Sequence, residues 1–314
     1  MGLVYPDYYS RFSCIASACR HNCCVGWEID VDIDSLSRYR KVSGELGKKL
    51  RRCISTDDTP HFVLDENERC PFLKEDGLCE LILRLGEDSL CEICAEHPRF
   101  RNFYGMRTEV GLGLCCEAAG ALILGQKEPV RLLGAVLDEA DDALLTLRDE
   151  AIVLLQDRSH TIPERIEAFL QLYHTVEDTR SVGEWIEFLF SLEHLEPDWE
   201  PFLREVADAL PSVDHIGFAA HMQQRQTEYE QLLIYLVYRH LAIAEEPGQM
   251  AARARFAALG YRLRLTLGAV EWTRNGSFSF ADQVELARRF SSELEYSVEN
   301  LEALLSALTP NTEE

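Results

Sequence analysis

All eleven cysteines of this 314-residue chain fall between Cys14 and Cys116, and none lies elsewhere. They come in tight groups joined by polar, turn-rich stretches, a spacing that lets several thiolates converge on one ion or cluster. The first residues, MGLVYPDYYSRFSC, contain no apolar run of the secretory kind, so the thiols are expected to meet a reducing cytosol. Metal ligation is then favoured over a disulfide framework, and the odd cysteine count agrees. Thiolates suit both zinc and iron–sulfur clusters, so either metal, or both, is open at this point.

The rest of the composition narrows the possibilities. A chain of this length corresponds to about two domains of ~150 residues, and 46% hydrophobic content is ample for a core. No stretch approaches the ~18 apolar residues of a membrane span; a soluble, cytoplasmic protein with no membrane partner is expected. Gly2 invites N-acylation, but Pro6 stands where that motif needs Ser or Thr. The net charge of -23 excludes a nucleic-acid partner, because backbone binding is built on Lys and Arg. The first 120 residues hold 15 of the 31 basic and 20 of the 54 acidic side chains, so most of the negative field lies beyond them. Such a field either steers a basic protein segment or simply keeps a surface solvated. Five lysines occur, Lys127 being the last, a scarcity that genome composition explains as well as avoidance of self-modification.

The fold class expected is mainly α: an irregular, Cys-rich metal- or cluster-binding module over 1–125, packed on an acidic helical bundle over 126–314. Up to about Gly120 short segments alternate with Cys, Gly, Pro and Asp/Asn, as when metal ligands replace a conventional core. Within it, Ile33 to Ile54 reads as helix with Asp34 as cap candidate, and Cys91 to Glu96 as a helical turn stopped by Pro98. The segment Gly125 to Pro129 marks the boundary. Beyond it Leu144, Leu147, Ala151, Leu154 and Leu155 share one helical face, and Ile166, Phe169, Leu170 and Tyr173 another. Thr161 with Glu164, and Ser181 with Glu184, fit capping boxes, and Pro163 suits a first helical turn. Tyr229, Leu232, Leu233, Leu236 and Val237 form a strongly apolar face, stopped at Glu245-Glu246-Pro247-Gly248. Asp282 to Leu308 reads as one more amphipathic helix or a pair. Strand signals are nearly absent, and no fixed-period repeat suggests a solenoid.

The chemistry-bearing motifs are ordered. The first is Phe12-Ser13-Cys14-x4-Cys19-x3-Cys23-Cys24-Val25-Gly26-Trp27-Glu28-Ile29, followed by Asp30-Val31-Asp32. The second is Cys70-Pro71-Phe72-Leu73-x3-Gly77-Leu78-Cys79, then Leu85-Gly86-Glu87-x2-Leu90-Cys91-x2-Cys94-x2-His97-Pro98-Arg99. The third is Cys115-Cys116-Glu117-Ala118-Ala119. Together these resemble the flagellin lysine-N-methylase family over Cys14 to Ala119, and less closely over Glu184 to Trp199 and Glu230 to Arg239, where Gln231 stands for a frequent Asn. The same cysteine groups also resemble putative zinc- or iron-chelating proteins.

The resemblance implies metal ligation by Cys14, Cys19, Cys23, Cys24, Cys70, Cys79, Cys91, Cys94 and Cys115. Cys53 lies outside the pattern, Cys116 replaces a usual Pro, and His97 a frequent Tyr. It further implies S-adenosylmethionine as methyl donor, a [4Fe-4S] cluster, and as partner a protein bearing surface lysines, flagellin or similar. Cys19, Cys23, Cys91 and Cys94 are the first candidates for the cluster, from their compact spacing. The radical-enzyme spacing Cys-x3-Cys-x2-Cys fails because Gly26 occupies its third position. A deprotonated amine needs no radical to displace a sulfonium's methyl group. It does need to lose its proton, and Glu28, Glu87 and Glu117 beside the cysteine motifs are candidate bases; each equally suits a surface acid or a cap. Trp27 and Phe72 are candidate walls of a methyl-transfer pocket, and Arg99 a candidate partner of the donor's carboxylate, although packing and a structural ion pair serve as well. Gly111-Leu112-Gly113-Leu114 lacks the third glycine and the strand–helix setting of a dinucleotide loop. The competing reading is a non-catalytic zinc- or iron-chelating or redox-sensing protein whose helical part binds a partner.

Overall fold

The structure, a computed structural model, describes residues 2–134, 143–244 and 247–310. The chain is mainly helical and folds into two compact units. One comprises Ser13–Phe100 with Cys116–Ala118; the other comprises Met1–Phe12, Arg101–Cys115 and Ala119–Glu314. The division expected at 125/126 is therefore not where the units part. Strands near the start and around residue 105 belong with the helices, because their side chains find apolar cover there.

The cysteine-rich unit contains α1 (Ile33–Arg40), α2 (Gly44–Cys53), the short antiparallel pair β2 (Ile54–Ser55) and β3 (His61–Phe62), α3 (Glu80–Leu85) and α4 (Glu92–Glu96). The single helix expected over 33–54 is broken. Ser43 is extended and Gly44 has φ +73°, a left-handed conformation that favours glycine. The cap of α1 is Asp32 rather than Asp34: its carboxylate accepts the Ser35 N–H at 2.8 Å. A hydrophobic core does exist, built on Ile29, Val31, Tyr39, Leu46, Leu50 and Phe62 with Phe72 and Leu81. Phe62 and Phe72 meet edge to face at 5.0 Å. Thiols supplement this core rather than replacing it.

The helical unit includes a four-stranded sheet that the sequence did not announce. It is made by β1 (Gly2–Pro6), β4 (Arg99–Tyr104), β5 (Arg107–Leu112) and β6 (Leu132–Gly134), in the order β4-β5-β1-β6. Strand β1 runs parallel to β5, with Leu3 opposite Thr108, and antiparallel to β6, with Tyr5 opposite Leu133. From Thr108 to Leu112 every residue is buried, so the alternation that betrays a one-faced strand is missing.

Ten helices follow among the described residues: α5 (Glu117–Leu124), α6 (Ala143–Leu155), α7 (Ile162–Leu172), α8 (Val182–Phe190), α9 (Trp199–Ala209), α10 (His215–His221), α11 (Gln226–His240), α12 (Pro247–Asn275), α13 (Phe280–Phe290) and α14 (Val298–Leu308). Thr161/Glu164 and Ser181/Glu184 form the expected capping boxes, and Ser279/Asp282 forms a third. The face of α7 reads as expected, whereas α6 buries Leu145, Arg148, Ala151, Ile152 and Leu155, one step around from the face expected. The stop expected at Glu245-Glu246 lies outside the described residues. Asp282 to Leu308 resolves into the pair α13 and α14, joined through one turn of π-helix, Ser291–Glu295.

The centre of this unit is α11, which packs on α6 and α12. From Glu228 to Tyr238 every one of its side chains is buried, the acids included. Such charges persist in a core only when paired. Arg225 pairs with Glu228 at 2.7 Å, and Arg158 and Arg165 hold Glu230 at 2.9 and 2.8 Å.

Candidate functional site

In the cysteine-rich unit, backbone hydrogen bonds decide which thiols become neighbours. The Cys70 N–H donates to the Cys24 carbonyl at 2.8 Å, and Val25 bridges to Arg69 alongside. Leu73 bridges to Cys79, Lys74 N–H donates to the Leu78 carbonyl at 2.9 Å, and Gly77, at φ +76°, turns the loop. Segments 24, 70 and 79 are thereby laced together. Cys91 arrives by another route: the Asp32 carboxylate that caps α1 also accepts the Glu92 N–H at 2.8 Å, and the Tyr39 hydroxyl donates to the Ser89 carbonyl at 2.8 Å. Burial pulls the Asp32 carboxyl upward, but the Glu92 and Ser35 hydrogen bonds win and hold it below its usual value. Asp32 was invisible as a site residue in the sequence, where only its neighbour Asp34 looked like a cap.

The thiols gather in and beside the core. Cys70 and Cys91 are buried in the core, with Cys24, Cys79 and Cys94 packed against it. The Cys24 thiol is raised by its hydrogen bond with Cys23 and by burial, then by the charges of Cys70 and Cys79; Cys94 is raised by its bond with Cys91 and by burial, then by Cys24 and Cys70. Burial pushes Cys70 up to about 11, against hydrogen bonds from the Phe72 and Leu73 amides, and the Cys94 amide bonds to the Cys91 sulfur. Cys23, hydrogen-bonded to Cys24, links these thiols to Cys19 and Cys14. Cys19 is raised by burial, then by the charges of Glu117, Cys23 and Cys14. Its sulfur lies 3.2 Å from the His21 carbonyl and 3.9 Å from Glu117. Of the four cysteines first ranked for a cluster, Cys91 and Cys94 are hydrogen-bonded to each other, and Cys23 interacts with both Cys19 and Cys24. Cys115 belongs to the helical unit, and all eleven cysteines are free of disulfides.

The donors fit a thiophilic metal in kind, since amides bonded to sulfur stabilise ligating thiolates. Among the described residues, no group of three or more His, Cys, Asp or Glu side chains is disposed to hold a metal ion.

The remaining candidates are scattered around these groups. Trp27 donates its indole N–H to the Cys23 carbonyl and lies 5.6 Å from the His97 ring; burial lowers His97 to about 4, so its imidazole is neutral. Arg99 donates to the Ala95 carbonyl at 3.1 Å. Phe72 is core, with the Lys49 ammonium 5.2 Å from its ring centre. Glu28 is exposed, 3.8 Å from His61, and Glu87 is exposed in a short 3-10 turn. Glu117 is clamped by Arg20, whose backbone N–H and Nε approach at 3.0 and 2.9 Å. Burial raises the Glu117 carboxyl, but these bonds outweigh it and the group is lowered, which makes it a poor proton acceptor.

The helical unit contains polar centres that periodicity did not reveal. Glu109 and Arg148, both fully buried, meet through two bonds of 2.8 and 2.7 Å. Glu295, at the end of the π-turn, accepts from the Tyr235 hydroxyl and from His240 Nε2, each at 2.7 Å. Burial lowers His240 below its usual value, against the raising effect of the Glu295 bond and charge. The readable signal was Arg239-His240 at the end of an otherwise apolar helix; nothing near Glu295 gave one. Gly113 is explained here too, because a Cβ would collide with the Tyr296 hydroxyl and crowd Arg239. Its role is close packing, not a phosphate loop. No helix among the described residues is long and apolar enough to cross a membrane.

Comparison with known proteins places part of this chain. Residues 182–313 match the FliB lysine N-methylase C-terminal domain family. The lysine-N-methylase of Salmonella typhimurium is 30% identical over 141 residues, and that of Salmonella choleraesuis 29% identical over 141; each alignment covers 40% of this chain and 33% of the relative. The flagellar biosynthetic protein FliU of Salmonella muenchen is 29% identical over 142 residues, covering 40% of this chain and 79% of FliU. The chain thus spans about a third of the length of the two lysine-N-methylases it matches. No solved structure matches. The C-terminal part of the chain, residues 182–313, is thus similar to the FliB lysine N-methylases, in keeping with the resemblance to the flagellin lysine-N-methylase family.

Proposed function

We propose that this protein is an S-adenosylmethionine-dependent lysine N-methyltransferase acting on a protein substrate, flagellin or a flagellin-like surface. The observation that carries the reading is the match of residues 182–313 to the lysine N-methylase C-terminal domain, supported by relatives that bear the lysine-N-methylase name. The ordered cysteine motifs, which lie outside that match, support it independently.

In the reaction the ε-amine lone pair of lysine attacks the methyl carbon of the sulfonium, the carbon–sulfur bond breaks, and the sulfur departs as a neutral thioether. The ammonium, with a pKa of ~10.4, must first give up its proton. Glu28 and Glu87, whose carboxylates are open to solvent, are the candidates to receive it; Glu117, clamped by Arg20, is the weakest of the three. Trp27 offers an aromatic wall beside His97, and Arg99 a cation for the donor's carboxylate. The metal proposed for the module, a [4Fe-4S] cluster or zinc, would be held by cysteines of the Cys24, Cys70, Cys79, Cys91 and Cys94 group and would supply structure or a docking point for the donor. Cys14, Cys19, Cys23 and Cys115 are proposed as further ligands. No step of the transfer is routed through this metal.

The test is anaerobic purification, determination of iron, acid-labile sulfide and zinc, and incubation with methyl-labelled donor and flagellin. Saturable donor binding and label on lysine support the reading. Metal bound without donor binding or transfer overturns it in favour of the chelating protein.

A further inference from the structure

The π-turn that closes α13 has a specific consequence for the segment carrying Cys115. Widening one turn swings Glu295 into the interior, a device that often marks functional sites. Its Oε2 accepts from the Tyr235 hydroxyl at 2.7 Å and from His240 Nε2 at 2.7 Å, with Arg239 at 3.5 Å. The Tyr235 hydroxyl accepts in turn from Arg239 Nη1 at 2.7 Å and from the Leu114 N–H at 3.2 Å. One donor and two lone pairs are all a hydroxyl possesses, and all three are used. Tyr296, the next residue after the π-turn, lays its ring 4.5 Å from the Arg239 guanidinium and presses its hydroxyl against Gly113. Tyr235 thus holds Leu114, Tyr296 and Arg239 close over Gly113, and Tyr296 hydrogen-bonds Cys115, while Glu295 holds Tyr235 and Arg239 in place.

We propose that Glu295 is a positioning residue: acting through Tyr235 and Arg239, it fixes the Gly113–Cys115 turn and with it the placement of the Cys115 thiol. The alternative is that Glu295 only neutralises buried arginines. That role does not require Tyr235 to spend a lone pair on the Leu114 amide, two residues beyond the end of β5, nor the absence of a side chain at Gly113. That this placement serves methyl transfer rests on the function proposed above; the placement itself does not.

The experiment compares wild type, Tyr235→Phe and Glu295→Gln in the full-length protein, by amide hydrogen exchange resolved to the peptide containing Leu114 and by mass-spectrometric alkylation of each cysteine. Tyr235→Phe keeps the ring and removes only the hub hydroxyl. Exchange at Leu114 and alkylation of Cys115 are expected to rise at least ~10-fold, with exchange in α7 and α8 and alkylation of Cys70 and Cys91 unchanged. If Leu114 and Cys115 stay at wild-type rates in a folded Tyr235→Phe, or rise only together with all other sites, the proposal is overturned. Should Glu295→Gln fail to fold, Tyr235→Phe decides alone. With methyl transfer as a second readout, kcat is expected to fall while KM for the protein acceptor holds. A wild-type protein without transfer sinks the proposed function and leaves the exchange result to judge the positioning.

Discussion

Arg148→Met should be among the most destabilising single changes in the helical unit. The guanidinium and the Glu109 carboxylate are both fully buried and joined by bonds of 2.7 and 2.8 Å, and Tyr238 covers the guanidinium at 5.2 Å. Removing one partner of such a pair strands the other charge in a low dielectric, at a cost of ~3–5 kcal/mol. Arg107 also pairs with Glu109 and is slightly open to solvent, so part of the charge stays compensated and the loss should sit at the lower end, about 3 kcal/mol. Replacing both partners by apolar residues removes the stranded charge, and the double variant Glu109→Leu/Arg148→Met should recover much of that loss. The assay is urea unfolding followed by far-ultraviolet circular dichroism on wild type, both single variants and the double. The coupling energy of the cycle is expected to be about 2 kcal/mol. Single losses under ~1 kcal/mol, or strictly additive losses in the double variant, would refute the claim that these two charges are held for each other.

Glu295 should make stability acid-sensitive. Burial works to raise its carboxyl, but Arg239, the His240 bond and Arg264 together bring it from 4.5 to about 2. The stabilisation is complete above the unfolded value and is lost as pH falls from about 4.5 through about 2; at ~1.4 kcal/mol per pH unit it amounts to about 3 kcal/mol. Unfolding curves of wild type and Glu295→Gln should therefore converge over that window, and parallel curves would contradict the assignment. Ser181→Ala removes the N-cap of α8 and should cost about 1 kcal/mol in chemical denaturation. For the metal proposed in the cysteine-rich unit, Cys70→Ser should lower bound iron or zinc in an anaerobic preparation, whereas Cys53→Ser, outside the motif, should leave it intact; equal metal in both variants would remove Cys70 from the ligand set.

Helix boundaries were the most legible part of the fold because their signals are local. A hydroxyl and a carboxylate three residues apart satisfy the same orphan amides wherever the helix goes, so Thr161/Glu164 and Ser181/Glu184 could be read directly. The sheet was not legible, since β5 is buried over most of its length and shows no alternation, and β1 finds its partners about a hundred residues away. The same distance problem hid Asp32, whose second hydrogen bond reaches Glu92.

By itself the sequence determined the residue types: thiols confined to one stretch, an acidic helical remainder, and motifs that resemble those of the flagellin lysine-N-methylase family. Tertiary structure alone decided which thiols are neighbours, with Cys70 and Cys91 in the core, Cys24, Cys79 and Cys94 packed against it, and Cys23 linking Cys24 to Cys19. It also decided that Cys115 folds with the helices and that Glu295 turns inward. The physical reason is one of range. Capping and periodicity act within a few residues, whereas thiol grouping and buried charge pairing depend on backbone hydrogen bonds and desolvation between segments tens to hundreds of residues apart, where spacing along the chain carries no information about distance in space.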